Sequence, residues 1–296
     1  MAATDARTLR ALGGPAARDR ARSAAEAGRP ARERLPYMVH AEWTKLRTLP
    51  TTWLILAAAV LLTTAIGAAA TSGLDPGHCR GTEPCAEDIV KQSLTGVLVG
   101  QVVVAILAIH AVCGEYATGT IRTTLTAMPD RVRVLVAKAV VVGGLTAAAG
   151  AAGVGAALGT ARFVLLSQGF DHAHGYAALT LADGATARAA VGSVLNLVLV
   201  GWLTLGLAWL VRDSAGAIGS VLGLLYLSPV LASLANDPTW QHRLRKYGPG
   251  PAGLSVQNTL RLDRLDIGPW PGLGVLAAYT GAALLVGGLA LCRRDA

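Results

Sequence analysis

Apolar positions in this chain come in long blocks rather than in short alternation. Six stretches, Thr48–Leu74, Gln92–Gly114, Ala139–Ala161, Ala189–Val211, Ser214–Asn236 and Ile267–Cys292, contain no Asp, Glu, Lys or Arg, and each has at least 23 residues. A bilayer core about 30 Å thick takes about 20 apolar helical residues to cross. The pattern therefore predicts an all-α membrane protein with six spans, at about 51–72, 93–113, 136–160, 189–211, 214–235 and 272–292. The next longest stretch in the folded region, Tyr247–Leu260, has 14 residues with two prolines and three glycines, and is not a span. Membrane β-strands would alternate polar and apolar residues over about ten positions, which this chain does not do.

The polar positions divide the rest. Residues 1–34 are rich in Ala, Arg and Gly, lack a steady apolar period, and read as a disordered tail. About 47 mostly polar residues precede the first span, unlike the short leader of a cleaved signal peptide. Over 35–50 the spacing turns helical: Val39, Trp43, Leu46 and Pro50 share a face, with His40, Glu42, Lys45 and Arg47 around the others. This predicts an amphipathic helix at the membrane surface, with Trp43 at headgroup depth. Connecting segments alternate in charge. The set with both termini holds 17 Lys and Arg in 77 positions, against 9 in 74 for the other set. Both ends are therefore expected in the cytoplasm. The exception is the last outer loop, with Arg243, Arg245, Lys246, Arg261 and Arg264.

Composition narrows the function. Of 296 residues, 53% are apolar and only 15% charged, against roughly a quarter in a soluble domain. The net charge of +8 comes with 22 Arg and 4 Lys, but no basic helix carries interleaved aromatics, so nucleic acid is not an expected partner. Membrane lipid is. None of Lys45, Lys91, Lys138 and Lys246 follows a glycine, which excludes the phosphate-cradling GxxxxGK[ST] loop. HExxH and GxSxG are also missing. No catalytic, cofactor-binding or metal-ligating set emerges, and Asp171-His172-Ala173-His174 lacks a partner cluster. With no Asp, Glu, Lys or Arg inside the windows, an ion-coupled pump is disfavoured, His110 being the one titratable candidate at depth.

Packing and partner signals remain. Gly96/Gly100, Gly155/Gly159 and Gly219/Gly223 have the spacing that lets helix backbones approach. Arg212 and Asp213 alone separate the fourth and fifth spans, which makes those two antiparallel neighbours. Cys79 and Cys85 share the first outer loop, where a disulfide can persist, whereas Cys113 and Cys292 near the inner face read as packing residues. The loop Gly114–Arg131 holds the main candidate contact. Glu115 and Tyr116 follow the second window, Gly119 breaks the helix, and Thr120 is placed to cap a new one. Ile121, Leu125 and Met128 then line one face beside Arg122, before Pro129 ends the turn and Asp130 caps the third span. That apolar face is read as entering a partner's groove.

Three segments, AEWTKLRTLPTTW (Ala41–Trp53), GEYATGTIR…P-DR (Gly114–Arg131) with Ala137-Lys138, and Gly268–Ala296, resemble the ABC-2 family of ABC transporter permeases, in its stand-alone bacterial form. The resemblance runs from about Pro36 to the end. It implies a type V exporter-like fold, a second permease protomer (identical or distinct), a bacterial cell membrane, and a separate ABC ATPase subunit that binds Mg-ATP. It assigns Tyr37–Leu49, with Trp43, Lys45 and Leu46, to a connecting helix and Thr120–Met128 to a coupling helix, with Glu115 as the acidic residue opening that loop. It also implies short outer helices within Ala235–Trp270. The expected function is the membrane-spanning subunit of an exporter of unidentified cargo. The competing readings are a non-transporting scaffold or sensor linked to the same ATPase, and an ion-coupled carrier.

Overall fold

The computed structural model describes residues 31–73, 88–127, 130–167 and 181–293. The tail 1–30, Cys79, Cys85, Met128, Pro129 and the segment Asp171–His174 lie outside the described residues. The described chain is all helical. Helix α1 is Ala31–Thr48, α2 Pro50–Ser72, α3 Ile89–Ser93, α4 Val97–Ala117, α5 Thr120–Ala127 and α6 Arg131–Ser167. Then come α7 Gly184–Val211, α8 Ser214–Leu234, α9 Pro238–Tyr247, α10 Pro249–Leu254, two 3-10 turns at Ser255–Gln257 and Leu262–Arg264, and α11 Pro269–Arg293.

Six of these are long and apolar enough to cross a membrane: α2, the run Ile89–Ala117 formed by α3 and α4, α6, α7, α8 and α11. This is a multi-pass membrane protein, and its outer surface fits an apolar solvent. Leu54, Leu61, Leu227, Leu234, Leu285 and Leu289 all point outward from spanning helices. Helix α6 is much longer than its apolar window. Its first turns carry Arg131, Arg133 and Lys138, because an Asp130 carboxylate accepts from the Arg133 amide and starts the helix eight residues before the window opens.

Helix α7 lies at the centre, touching α4, α6, α8 and α11, while α2 packs on α4 and α6. Hydrophobic burial does not distinguish a neighbouring helix from lipid, so close backbone approach matters more. At Gly206 and Gly287, helices α7 and α11 come so near that a Cβ on Gly287 would sit 2.3 Å from the Gly206 carbonyl oxygen. Gly96 likewise abuts the Thr63 carbonyl of α2. The other two expected glycine pairs behave differently: Gly155, Gly159, Gly219 and Gly223 meet nothing within 4 Å.

The segment set apart as too short and broken to be a span packs into the bundle. Gly250 of α10 lies against the Leu225 carbonyl, and a Cβ at Gly253 would fall 2.4 Å from Asn196 Oδ1. Val256 is wholly buried, pressed on Gly192 of α7. Its prolines and glycines prevent a long helix but permit this tight insertion. At the opposite end, Arg212 takes a left-handed conformation (φ 62°) and Asp213 accepts from the Gly216 amide, so the α7–α8 turn closes in two residues. Cys113 is buried as a packing residue, but Cys292 is exposed at the end of α11.

Replacing Gly287 by Ala should destabilise the bundle by about 1–3 kcal/mol, because the new methyl meets backbone rather than a movable side chain. Gly223→Ala, into open space, should be neutral or raise stability by up to about 1 kcal/mol. Thermal unfolding of the two variants in one detergent tests the contrast.

Candidate functional site

The end of the bundle that carries α1, α5 and the α7–α8 turn contains a group of buried charges. Helix α1 buries a stripe at i, i+4 and i+8, namely Met38, Glu42 and Leu46. Glu42 therefore stands on the inward face of a helix expected to show it to solvent, and is 2% exposed. Lys138, at the same 2%, projects from α6 between buried Val134, Val141 and Val142. Glu115, near the end of α4, comes from the third side.

These groups close a ring. Lys138 Nζ donates to Glu42 Oε2 at 2.7 Å, to Glu115 Oε1 at 2.7 Å and to the Ala111 carbonyl at 3.0 Å. Lys45 Nζ donates to Glu42 Oε1 at 2.9 Å, to Glu115 Oε1 at 2.6 Å and to Thr124 Oγ1 at 3.3 Å. Each ammonium thus uses its three donors, and two positive charges meet two negative ones. Glu115 Oε2 is buried without a partner. The bond from Lys45 joins α5 to the ring, and the Thr124 hydroxyl in turn donates to the Thr120 carbonyl of the same helix at 3.1 Å.

The electrostatics follow from position. Burial alone would raise the Glu42 carboxyl, but the Lys138 charge and the hydrogen bonds from Lys138 and Lys45 outweigh it and hold it below its ordinary 4.5. Burial alone would lower the Lys45 ammonium, yet its bonds to Glu115 and Glu42 hold it above its ordinary 10.5. Glu42 therefore contributes stability above the unfolded-state value that is lost as pH falls through its depressed folded value. Lys45 contributes stability below about 10.5 that is lost as pH rises through its elevated folded value.

The short helix α5 is held differently from the sequence expectation. Ile121 is 3% exposed and packs inward on the core around Leu46 and Val112, and half-buried Leu125 packs on the same core. Of the apolar face proposed for a partner's groove, Ile121 and Leu125 are thus turned onto the chain's own core, while Met128 lies outside the described residues. What faces outward is polar: Thr120, Arg122, Thr123 and Thr126. Thr120 is the first residue of α5 itself, its hydroxyl 2.9 Å from that of Thr118, and Gly119 takes the turn in front of it at φ 71°. Trp43 is half-buried against the core rather than standing clear of the bundle, and α1 packs on α6 and α2. It starts at Ala31, four residues before the expected boundary.

Two arginines close the same end. Arg131 donates to the Leu291 carbonyl at 2.7 Å and Arg212 to the Ala290 carbonyl at 3.2 Å, satisfying carbonyls of the last turn of α11 where the helix dipole favours a cation. Arg212 also lies over the Tyr116 ring, 5.2 Å from its centroid, and Tyr116 meets Trp209 edge-on at 5.9 Å. His110 reaches Thr51 at 3.4 Å, at an exposed edge of α2 and α4.

Sequence reasoning found Lys45, Glu115, Tyr116 and Ile121 but missed what Glu42 and Lys138 do. One signal was available: Glu42 shares the i, i+4, i+8 row of Met38 and Leu46, so a helix burying those two must bury it as well.

Lys138→Met leaves two carboxylates facing one ammonium and should cost about 3–5 kcal/mol, read as a lowered unfolding midpoint. The wild-type midpoint should stay level from about pH 5 to pH 10 and fall on both sides. Glu42→Gln should start lower and show a shallower acid limb. A midpoint indifferent to Lys138 would contradict the ring. Neither a protein-family model nor a curated protein sequence matches this chain.

Proposed function

We propose that this chain is the permease subunit of an ABC export system of the ABC-2 type, with a type V exporter-like bundle, working beside a separate ATPase subunit. The observation that carries the reading is the anchoring of α5. A helix of eight residues would be a loose loop if held by its ends alone. Here Ile121 fixes it to the core and Thr124 ties it to Lys45, whose ring joins α1, α4 and α6. Force applied to its polar outer face therefore reaches three helix ends together.

In this reading the end bearing α5 is cytoplasmic, as the Lys and Arg asymmetry of the connecting segments supports. ATP, bound with Mg2+ by the partner subunit, supplies the free energy. Arg122, Thr123 and Thr126 form the contact, and the ring passes its displacement to α1, α4 and α6 of each protomer in a pair. The bundle then exchanges between two packed states rather than deforming continuously. A bacterial cell membrane and a second protomer, identical or distinct, complete the proposal.

The test uses the full chain with its candidate ATPase in lipid nanodiscs. Arg122→Glu with Thr126→Glu should reduce stimulation of that ATPase by at least about ten-fold, equivalent to about 1.4 kcal/mol of lost coupling. The unfolding midpoint should not change, because both side chains are exposed. Unaltered stimulation, or solute movement against its gradient by the chain alone, would overturn the assignment.

A further inference from the structure

The basic residues that broke the charge rule of the connecting segments are not scattered. Arg245 of α9, and Arg261 and Arg264 at the second 3-10 turn, line with Lys91 of α3 two adjoining cavities at the end of the bundle opposite the charge ring. The cavities measure about 390 Å³ and about 340 Å³ and share Lys91, Asn258 and Leu265 as walls. The larger carries Arg261 and Arg264; the smaller adds Arg245 and an apolar side that includes Leu98, Leu254 and Ile267.

Among the described residues, none of these four cations has a carboxylate within ion-pairing distance. The two acids in the walls are already engaged. Asp88 caps α3 through the Lys91 amide and accepts from the Thr259 amide, the Thr259 hydroxyl and the Leu260 amide. Asp266 Oδ1 lies 2.7 Å from His242 Nδ1. The two cavities together therefore hold four cations against two carboxylates, a net positive charge. The platform that holds them is itself rigid. Asp88 pins the chain at Thr259 and Leu260, Arg188 donates to the Asn258 carbonyl at 2.8 Å, and Gln257 is bonded to Ser193 at 3.1 Å. Arg261 sits in the left-handed region (φ 50°, ψ 47°) at the start of the second 3-10 turn, as Arg212 does at the α7–α8 turn.

We propose that this hollow binds a phosphate-class oxyanion, clamped by Arg261 and Arg264 with Lys91 as the third cation. Guanidinium groups meet tetrahedral oxyanions through paired N–H donors, and an ammonium adds a point charge. The apolar side of the second cavity gives room for the substituent of a phosphate ester. The anion comes either from a lipid headgroup or from a soluble phosphate, and the two sources are separable.

The test compares the full chain with Arg261→Asn/Arg264→Gln, in which Asn tolerates the left-handed conformation, and with Lys91→Gln. Arg243→Gln, whose side chain stacks on Trp240, is the control. Inorganic phosphate binding is measured calorimetrically in neutral detergent, and phosphatidylglycerol retention over phosphatidylcholine by native mass spectrometry. The double variant should lose about ten-fold or more in affinity, Lys91→Gln less, and the control nothing. Phosphate binding alone assigns a soluble anion; phosphatidylglycerol retention alone assigns the lipid; mutual competition assigns one site open to both. If the wild type shows neither, or the variants match the control, the proposal fails. Lys91→Gln, an exposed change, keeps the test valid should the double variant not fold. The ATPase coupling at the other end is indifferent to either result.

Discussion

Taking a charged group out of water costs several kcal/mol per ion unless its partners are close and its hydrogen bonds complete. Glu42 and Lys138 are both all but sealed from solvent, so their positions are not free: each carboxylate oxygen of Glu42 must find a lysine, and each N–H of Lys138 an acceptor. The solution is a ring in which Glu42 and Glu115 alternate with Lys45 and Lys138. It fixes where the ends of α1, α4 and α6 stand relative to one another, because moving any one of them strands a charge. The short helix α5 inherits that position through Thr124.

The remainder of the bundle lacks such directionality. Its interior is mainly aliphatic, with neutral polar groups such as Gln101, Ser193 and Asn196 among it, and the lipid outside is aliphatic too, so apolar burial alone does not select a partner helix. Contacts at Gly206, Gly287 and Gly96 do so by letting backbones approach. Polar clamps at the rims then lock the register: Arg131 and Arg212 on the final carbonyls of α11 at one end, Asp88 on Thr259 and Leu260 at the other. The two ends are opposite in electrostatic character. One brings together equal numbers of opposite charges that pair with one another. The other gathers four cations against two carboxylates, none of the cations paired within ion-pairing distance among the described residues, and so carries a net positive charge.

Six long apolar stretches, each bounded by charge, left no alternative to six membrane-crossing helices, since a bilayer accepts only segments whose backbone bonds close internally. The same reading located the two-residue turn at Arg212 and Asp213, and the short helix after Gly119. These are local properties: hydropathy over about 20 residues, a cap, a glycine at positive φ. What the one-dimensional pattern did not reveal was which face of a short helix turns inward. Ile121 and Leu125 looked available to another protein because their own covering, supplied by α1 and α4, is about 75 residues away in sequence at its farthest. The segment from Tyr247 to Leu260, read only as too short and broken for a span, packs into the bundle against Leu225, Asn196 and Gly192.

The sequence by itself therefore determined the membrane as solvent and the number of long apolar helices, because each depends on neighbours along the chain. Only the tertiary structure decided that Glu42 and Lys138, 96 positions apart, neutralise each other, and that Lys91 joins arginines more than 150 positions later. Coulomb attraction and repulsion act through space, and which charges meet depends on helix rotation and crossing that no local pattern encodes.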